Sequence, residues 1–263
     1  MQALKLENPN AANDYLAMPP PAATPAEERL QRQQHLVIAF RIFAQLGFDR
    51  GNAGHMTVND PEKPDHFWVN PLGKHFALIR RADLLLVDRD GRVVEGKGKV
   101  NLAAFAIHSV IHAERPDALA VAHTHSPHGR AWASLGRLLD PISQDACAFF
   151  EDHSLLEEFS GVVLDTSEGA RIAQRLGKHK AIILQNHGLL TVGGSVESCA
   201  WWHIAMDDCC RIQLMAEAAG KPKLISTEVA RKTGALNGRE MIGFHAFRNM
   251  MELALAEQPD MLD

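Results

Sequence analysis

One short segment constrains this chain more than any other: an apolar run over residues 118–122 leads directly into His123-Thr124-His125. In a strand, side chains two residues apart point to the same face. The segment therefore predicts a buried strand over 118–125 that presents the imidazoles of His123 and His125 side by side, where one metal ion could take both. Pro127 then forces the chain out of the strand. Two ligands alone do not define a metal site.

His187 supplies a third candidate ligand. It follows the apolar run 181–184, which predicts another buried strand, and Gly188 beside it permits a close backbone approach. Three imidazoles at strand ends would leave a coordination position open for water or substrate, as in catalytic metal sites. Zinc is the expected divalent ion, and manganese, iron or cobalt are alternatives. The competing interpretation is that each histidine only caps its strand by hydrogen bonding, since spacing does not make two strands neighbours.

Short apolar runs separated by tight turns alternate with longer stretches of helical periodicity. Strands are predicted over residues 55–58, 66–70, 82–88, 92–95, 118–125, 161–164, 181–184 and 189–192. Helices are predicted over residues 26–46, 102–113, 129–135, 167–176, 196–219 and 239–256, and residues 143–150 form a mixed segment. Helices that flank a largely antiparallel sheet predict an α/β sandwich.

The length of 263 residues and a hydrophobic content of 46% are enough for one sizeable core. We therefore expect a single domain over residues 27–263. Residues 1–26 include the proline-rich stretch 18–25, which is unsuited to a helix or a central strand. They predict an extended arm that either packs on a neighbouring subunit or is disordered.

The charge of the chain excludes several classes of partner. A formal net charge of -5 gives no electrostatic footprint for nucleic acid or for an anionic membrane. No apolar run approaches the roughly 18 residues that a membrane span needs, and residues 1–16 lack the apolar core of a signal peptide. A cytoplasmic location is the resulting expectation.

The four cysteines have neither disulfide-framework nor zinc-site spacing, so they are expected to be buried apolar residues.

Several short motifs, none specific alone, occur in a fixed order between about residues 30 and 220. They are Gly54-His-Met-Thr-Val58, Asn70-Pro-Leu-Gly-Lys-His75, Gly98-Lys-Val-Asn-Leu-Ala-Ala-Phe-Ala-Ile-His108, Arg115-Pro-Asp117, His123-Thr-His125 and Asn186-His-Gly-Leu-Leu190. As an ordered set they resemble the class II aldolase/adducin family, in a bacterial-type single-domain form. The resemblance implies a three-layer α/β/α sandwich with a largely antiparallel central sheet, and commonly a homotetramer with sites between subunits. It also implies a divalent metal, often zinc, held by His123, His125 and His187.

Two turns are the expected substrate-binding segments. The first contains Gly54 and His55, and the histidine stands where the family's substrate-binding turn has an asparagine, so it is expected to face the pocket. The second contains Asn70 and Gly73. Small residues in both turns allow the backbone to approach a ligand closely.

The resemblance fails at the groups that transfer protons and bind phosphate in the family's sugar-phosphate aldolases. Their general acid/base glutamate falls on Ala104, and their two phosphate-binding serines fall on Leu102 and Ala103. The threonine of their other phosphate-binding turn falls on Leu72, and their C-terminal catalytic tyrosine is missing because Tyr15 is the only tyrosine in the chain. The chain therefore looks closer to the adducin-like branch, and standard sugar-phosphate aldolase activity is not expected.

Two functions follow from this pattern. The first is a metal-dependent lyase that breaks a carbon–carbon bond, by aldol cleavage or decarboxylation, in a small polar or carboxylated substrate through a metal-stabilised enolate. The second is a non-catalytic adducin-like binding or assembly module that retains a metal site. Glu95 or Glu151 could replace the missing acid/base, and Lys74, Lys97 and Lys99 could meet an anionic substrate.

Overall fold

A computed structural model describes residues 17–161 and 166–262 of the protein, and their strands form one eight-stranded sheet. The strands are β1 His55–Asn59, β2 Phe67–Val69, β3 Leu85–Val87, β4 Val93–Glu95, β5 Ala120–Thr124, β6 His153–Leu156, β7 Ala181–Leu184 and β8 Gly188–Gly193. Their order across the sheet is β4-β3-β2-β1-β5-β8-β7-β6. Neighbouring strands are antiparallel, except that β6 and β7 are parallel.

Helices cover both faces of the sheet. They are α1 Pro25–Gln45, α2 Leu102–Glu114, α3 Pro127–Ala133, α4 Thr166–Leu176, α5 Val196–Ala219, α6 Thr227–Asn237 and α7 Glu240–Glu257. Ala120 and Ala122 of β5 pack in a core with α1, α5 and α7, whereas Val121 between them packs in a second core with α2 and α4. The predicted three-layer α/β/α sandwich with a largely antiparallel sheet is therefore confirmed.

The alternation along β5 decides where its histidine lies. His123 is two residues beyond Val121 and so points to the face that α2 and α4 cover. The register of β1 against β5 pairs Thr57 with Val121 and His55 with His123, which places both β1 side chains on that same face. The polar end of β5 is thus surrounded by side chains of β1 and α2.

The structure differs from the predicted elements in three places. Strand β6 was not predicted, and the strand expected at residues 161–164 falls mostly outside the described ranges, since residues 162–164 are not described. Helix α6 was not predicted; it begins after Ser226, whose side chain accepts a hydrogen bond from the backbone N–H of Val229. Strand β3 is shorter than predicted, because residues 81–83 form a 3₁₀ turn.

Three further features predicted from the sequence are the N-terminal arm, the state of the cysteines and the lack of a membrane span. The predicted N-terminal arm lies mostly outside the described residues, since the description begins at Ala17. All four cysteines are buried free thiols, as expected. Among the described residues, no helix is long and apolar enough to cross a membrane.

Candidate metal centre

Three histidines that are distant in sequence converge at one end of the central strands. His123 lies in β5, His125 follows that strand directly, and His187 lies in the turn between β7 and β8. One ring nitrogen of each lies within 4.8 Å of the corresponding nitrogen of the other two. The centroids of the His123 and His187 rings are 4.6 Å apart, and those of His125 and His187 are 5.0 Å apart. The spacing is that of side chains able to share one ion.

The pairing of β5 with β8 is what brings His187 to the other two rings. In this antiparallel pair Thr124 lies opposite Leu189, so the turn that precedes β8 meets the end of β5. The turn requires a positive φ of 58° at Asn186, a conformation that asparagine adopts more readily than most residues. Sequence spacing could not supply this register, and the structure does.

Gly188 allows the turn to sit this close. A Cβ atom at this position would lie 2.8 Å from the backbone oxygen of Thr124 and 3.6 Å from Cε1 of His123. The first distance is shorter than a Cβ tolerates, and a backbone oxygen in a central strand cannot easily move. Glycine is therefore required for the three imidazoles to converge.

A Gly188→Ala substitution tests this requirement. We expect metal affinity to fall about 10- to 100-fold, as when an outer-shell contact is removed, because the turn that carries His187 must shift. Zinc titration by calorimetry measures the change. Gly194→Ala is the matched control, since the atoms nearest to its Cβ would belong to the flexible side chain of Glu240, beyond the opposite end of β8. Equal affinities for the two variants would contradict the role given to Gly188.

Hydrogen bonding and burial prepare these rings as neutral ligands. Nδ1 of His123 donates to the backbone oxygen of Leu189 at 2.8 Å, which leaves Nε2 free to bind an ion. Burial, followed by the nearby His187 imidazole, lowers the pKa of His123 well below its usual value. The same two causes lower the pKa of His125 to about 4, and burial lowers that of His187. Metal binding requires unprotonated imidazole, so this set could hold a divalent transition metal.

Three of the four predicted substrate-binding residues surround a separate small cavity. Gly54, Asn70 and Gly73 line a space of about 10 Å³, together with Asn101 at the start of α2. Oδ1 of Asn70 is buried and has no hydrogen-bond partner among the described residues, and the adjoining space is no larger than one water molecule. The fourth predicted residue, His55, lies beside the metal centre instead, with its ring centroid 5.1 Å from that of His123.

The three converging histidines lie within a region that matches a known protein family. The sequence profile described as the class II aldolase and adducin N-terminal domain matches residues 34–214, more than half of the chain. The chain belongs to the class II aldolase and adducin family. The resemblance based on the ordered motifs is thereby confirmed, and the three converging histidines lie within the matched region.

Similar proteins within the family are described as having different enzymatic activities. Decarboxylase NovR of Streptomyces niveus is 48% identical over 251 residues, which span 95% of this chain and 93% of that protein. A protein of Streptomyces roseochromogenus subsp. oscitans, described as 4-hydroxy-3-prenylphenylpyruvate oxygenase/4-hydroxy-3-prenylbenzoate synthase, is 46% identical over 251 residues, spanning 95% of this chain and 91% of that protein. The solved structure of an L-fuculose 1-phosphate aldolase from Glaciozyma antarctica PI12 superposes with a TM-score of 0.88 at 42% identity, covering 94% and 97% of the two chains.

The position that matches the family's acid/base glutamate is buried among apolar side chains. Ala104 is fully buried and belongs to an apolar cluster with side chains of β2 and β3. The carboxylates considered as replacements are engaged elsewhere: Glu95 pairs with Arg29 and Lys63, and Glu151 pairs with Arg231. Among the described residues, no carboxylate belongs to the three-histidine group.

The basic side chains considered for an anionic substrate are either ion-paired or exposed, and Lys74 lines the same small cavity as Asn70 and Gly73. Lys74 forms an ion pair with Asp83 at 2.6 Å, and Lys97 and Lys99 are exposed. Of these three lysines, Lys74 already has an acidic partner, whereas Lys97 and Lys99 face solvent.

A buried polar chain beside the metal centre escaped the sequence analysis. His55 contacts His108 of α2, and Thr57 of β1 contacts both His108 and His112. The available signal was modest: two histidines four residues apart share a helix face, and two polar residues two apart share a strand face. Nothing in the sequence indicated that this helix face meets this strand face.

Proposed function

We propose that this protein is a metal-dependent lyase that breaks a carbon–carbon bond in a small carboxylated carbonyl compound, with decarboxylation as the favoured reaction. The observation that carries the proposal is the convergence of His123, His125 and His187 with ligand atoms within 4.8 Å of one another. The two relatives described as a decarboxylase and as a benzoate-forming oxygenase and synthase support a carboxylated substrate.

Cleavage of the carbon–carbon bond depends more on stabilising the negative charge that develops than on a dedicated general acid. Breaking the bond leaves an electron pair that delocalises onto a carbonyl oxygen, and a divalent ion, when bound, stabilises that negative charge as a Lewis acid. The three neutral imidazoles would hold the ion, and the Leu189 carbonyl orients His123 for that role. We also propose that Asn70, whose Oδ1 has no partner among the described residues, contributes a hydrogen-bond acceptor to the substrate.

Zinc is the proposed ion, because three imidazoles with an open position are a common catalytic zinc set. Iron(II), manganese(II) and cobalt(II) also accept this set. One relative is described as an oxygenase, which makes iron(II) the specific alternative to zinc. Elemental analysis of the purified protein distinguishes these ions directly.

The proposal excludes normal turnover of sugar phosphates. Ala104 lies where the aldolases carry their acid/base glutamate, and exposed Leu72 and Leu102 lie where they carry phosphate-binding hydroxyl groups. Losing a general acid/base forfeits roughly 10²–10⁴-fold in rate. The substrate should therefore carry its charge as a carboxylate.

The decisive assay compares carboxylated and phosphorylated compounds. The metal-loaded protein is offered an arylpyruvate, a 3-oxo acid and L-fuculose 1-phosphate, and carbon dioxide release, aldehyde formation and oxygen uptake are followed. We expect metal-dependent carbon dioxide release from a carboxylated compound and much slower turnover of the phosphate. Stoichiometric metal without carbon dioxide release, or efficient cleavage of the phosphate, would contradict the proposal.

A non-catalytic binding module is the second candidate. It is favoured by the sealed environment of Ala104, which leaves the family's acid/base position without any polar atom. On that function, metal would bind without turnover of any compound. The same assay therefore separates the two candidates.

The assembly and location of the protein belong to the same proposal. We propose one domain over residues 27–263 and a homotetramer, and large apolar side chains such as Leu102, Met215 and Leu253 are more than half exposed, as expected of subunit contacts. Sedimentation equilibrium tests the tetramer. A cytoplasmic location is also proposed, and the four buried free thiols fit a reducing compartment.

A further inference from the structure

A continuous chain of hydrogen bonds runs from the metal centre through the interior to a backbone carbonyl. Nδ1 of His55 lies 2.8 Å from Nε2 of His108, and Nδ1 of His108 lies 2.8 Å from Oγ1 of Thr57. The same oxygen lies 2.8 Å from Nε2 of His112, whose Nδ1 lies 3.1 Å from the carbonyl oxygen of Ala118. Thr57 and His108 are fully buried, and His55 is 3% exposed.

The carbonyl at the far end fixes the direction of every bond in this chain. A carbonyl oxygen can only accept, so Nδ1 of His112 carries a hydrogen and its Nε2 accepts the hydroxyl hydrogen of Thr57. The Thr57 oxygen must then accept from Nδ1 of His108. That leaves a lone pair on Nε2 of His108, which accepts from Nδ1 of His55. Each histidine is thereby held in the tautomer with hydrogen on Nδ1.

Reversing the chain would require a second proton on His112. Burial lowers the pKa of His112 to about 4 and that of His108 well below its usual value, so both rings are neutral near pH 7. The direction set by Ala118 therefore persists under ordinary conditions. Its consequence at the other end is that Nε2 of His55 is a hydrogen-bond acceptor.

The position of the His55 Nε2 acceptor beside the metal centre indicates a role for it. His55 lies directly opposite His123 in the β1–β5 register, and its Nε2 has no hydrogen-bond partner among the described residues. Ala104, one helical turn before His108, offers no polar atom at the position of the aldolase acid/base. The metal centre thus has an imidazole acceptor at its edge where it has no carboxylate.

We propose that His55 contacts the substrate through Nε2, accepting a hydrogen bond from a hydroxyl or other neutral donor, and that Thr57, His108 and His112 are positioning residues that hold its tautomer. The catalytic part of this proposal rests on the proposed lyase function, whereas the tautomer does not. A carboxylate would meet a lone pair at Nε2 and be repelled, so the substrate group next to His55 is a donor and its carboxylate lies elsewhere.

Neutron diffraction from deuterium-exchanged crystals of the zinc-loaded protein tests the tautomer without any mutation. We expect deuterium on Nδ1 of His55, His108 and His112, and none on Nε2 of His55. Deuterium on Nε2 of His55 would overturn the proposal. Because this measurement needs no turnover, its result is independent of whether the lyase assay succeeds.

A pair of substitutions at Thr57 tests the positioning role. Thr57→Val removes the hydroxyl that links the two α2 histidines, whereas Thr57→Ser keeps it as the matched control. We expect kcat to fall about 10- to 100-fold in Thr57→Val, the range found for outer-shell partners of metal sites, and to stay within about threefold of wild type in Thr57→Ser. KM and zinc content should change little in either. Equal kcat values for the two variants would overturn the positioning role.

Discussion

Replacing His125 by alanine is expected to abolish stoichiometric zinc binding. The substitution reduces three converging imidazoles to two, and the loss should exceed the roughly 100-fold that outer-shell changes cause. Metal analysis after dialysis, together with calorimetric zinc titration, measures the effect. His245→Ala on α7 is the matched control, because that ring bonds to the backbone oxygen of Ala17 and is not part of the three-histidine group.

The outcome of this substitution also bears on which function the protein has. If metal and carbon–carbon cleavage are lost together while the oligomer persists, the ion serves the reaction. If His125→Ala keeps one zinc per chain, the assignment of the metal centre is wrong. Sedimentation of the same samples shows whether assembly depends on the ion.

An Ala104→Glu substitution is expected to destabilise the fold and not to create an aldolase. The new carboxylate would enter an apolar cluster, where an uncompensated buried charge costs about 3–5 kcal/mol in the free energy of unfolding. Cleavage of L-fuculose 1-phosphate should not appear, because Leu72 and Leu102 still replace the phosphate-binding hydroxyl groups. Urea unfolding measures the loss of stability.

A smaller substitution at the same position provides the control. Ala104→Ser adds one oxygen and no charge, and its hydroxyl can bond to a backbone carbonyl of its own helix, so it should cost far less than the glutamate. A glutamate variant as stable as wild type would show that this position opens towards solvent or the metal centre. In that case burial of Ala104 would no longer be a reason to exclude aldolase chemistry.

The sequence predicted the elements whose patterns are local and strong. Strand β7 and helix α5 have the predicted bounds, because an uninterrupted apolar run and a long stretch of helical periodicity are each sufficient signals. The candidate ligands could also be named, since each histidine directly follows a predicted strand. Strand β6 and helix α6 could not, because the segment His153–Leu156 begins with two polar residues and α6 buries only Ala230.

What the sequence could not supply was the pairing between elements. The convergence of His187 with His123 depends on the β5–β8 register, and the link from His55 to His112 depends on where α2 crosses β1. Both are contacts between residues more than 50 positions apart. Local patterns carry no information about such distances, so they identified ligands one by one and missed the polar chain.

The separate locations of the histidine ligands and of the small cavity have a consequence for protein engineering. The ligands lie in or directly after β5 and in the turn between β7 and β8, whereas Asn70 and Gly73 lie around a cavity formed by other turns. The cavity shares no residue with the three-histidine group, so a library that randomises residues 71–74 should leave the ion-holding frame intact. The small cavity and the ion-holding group can therefore be varied independently.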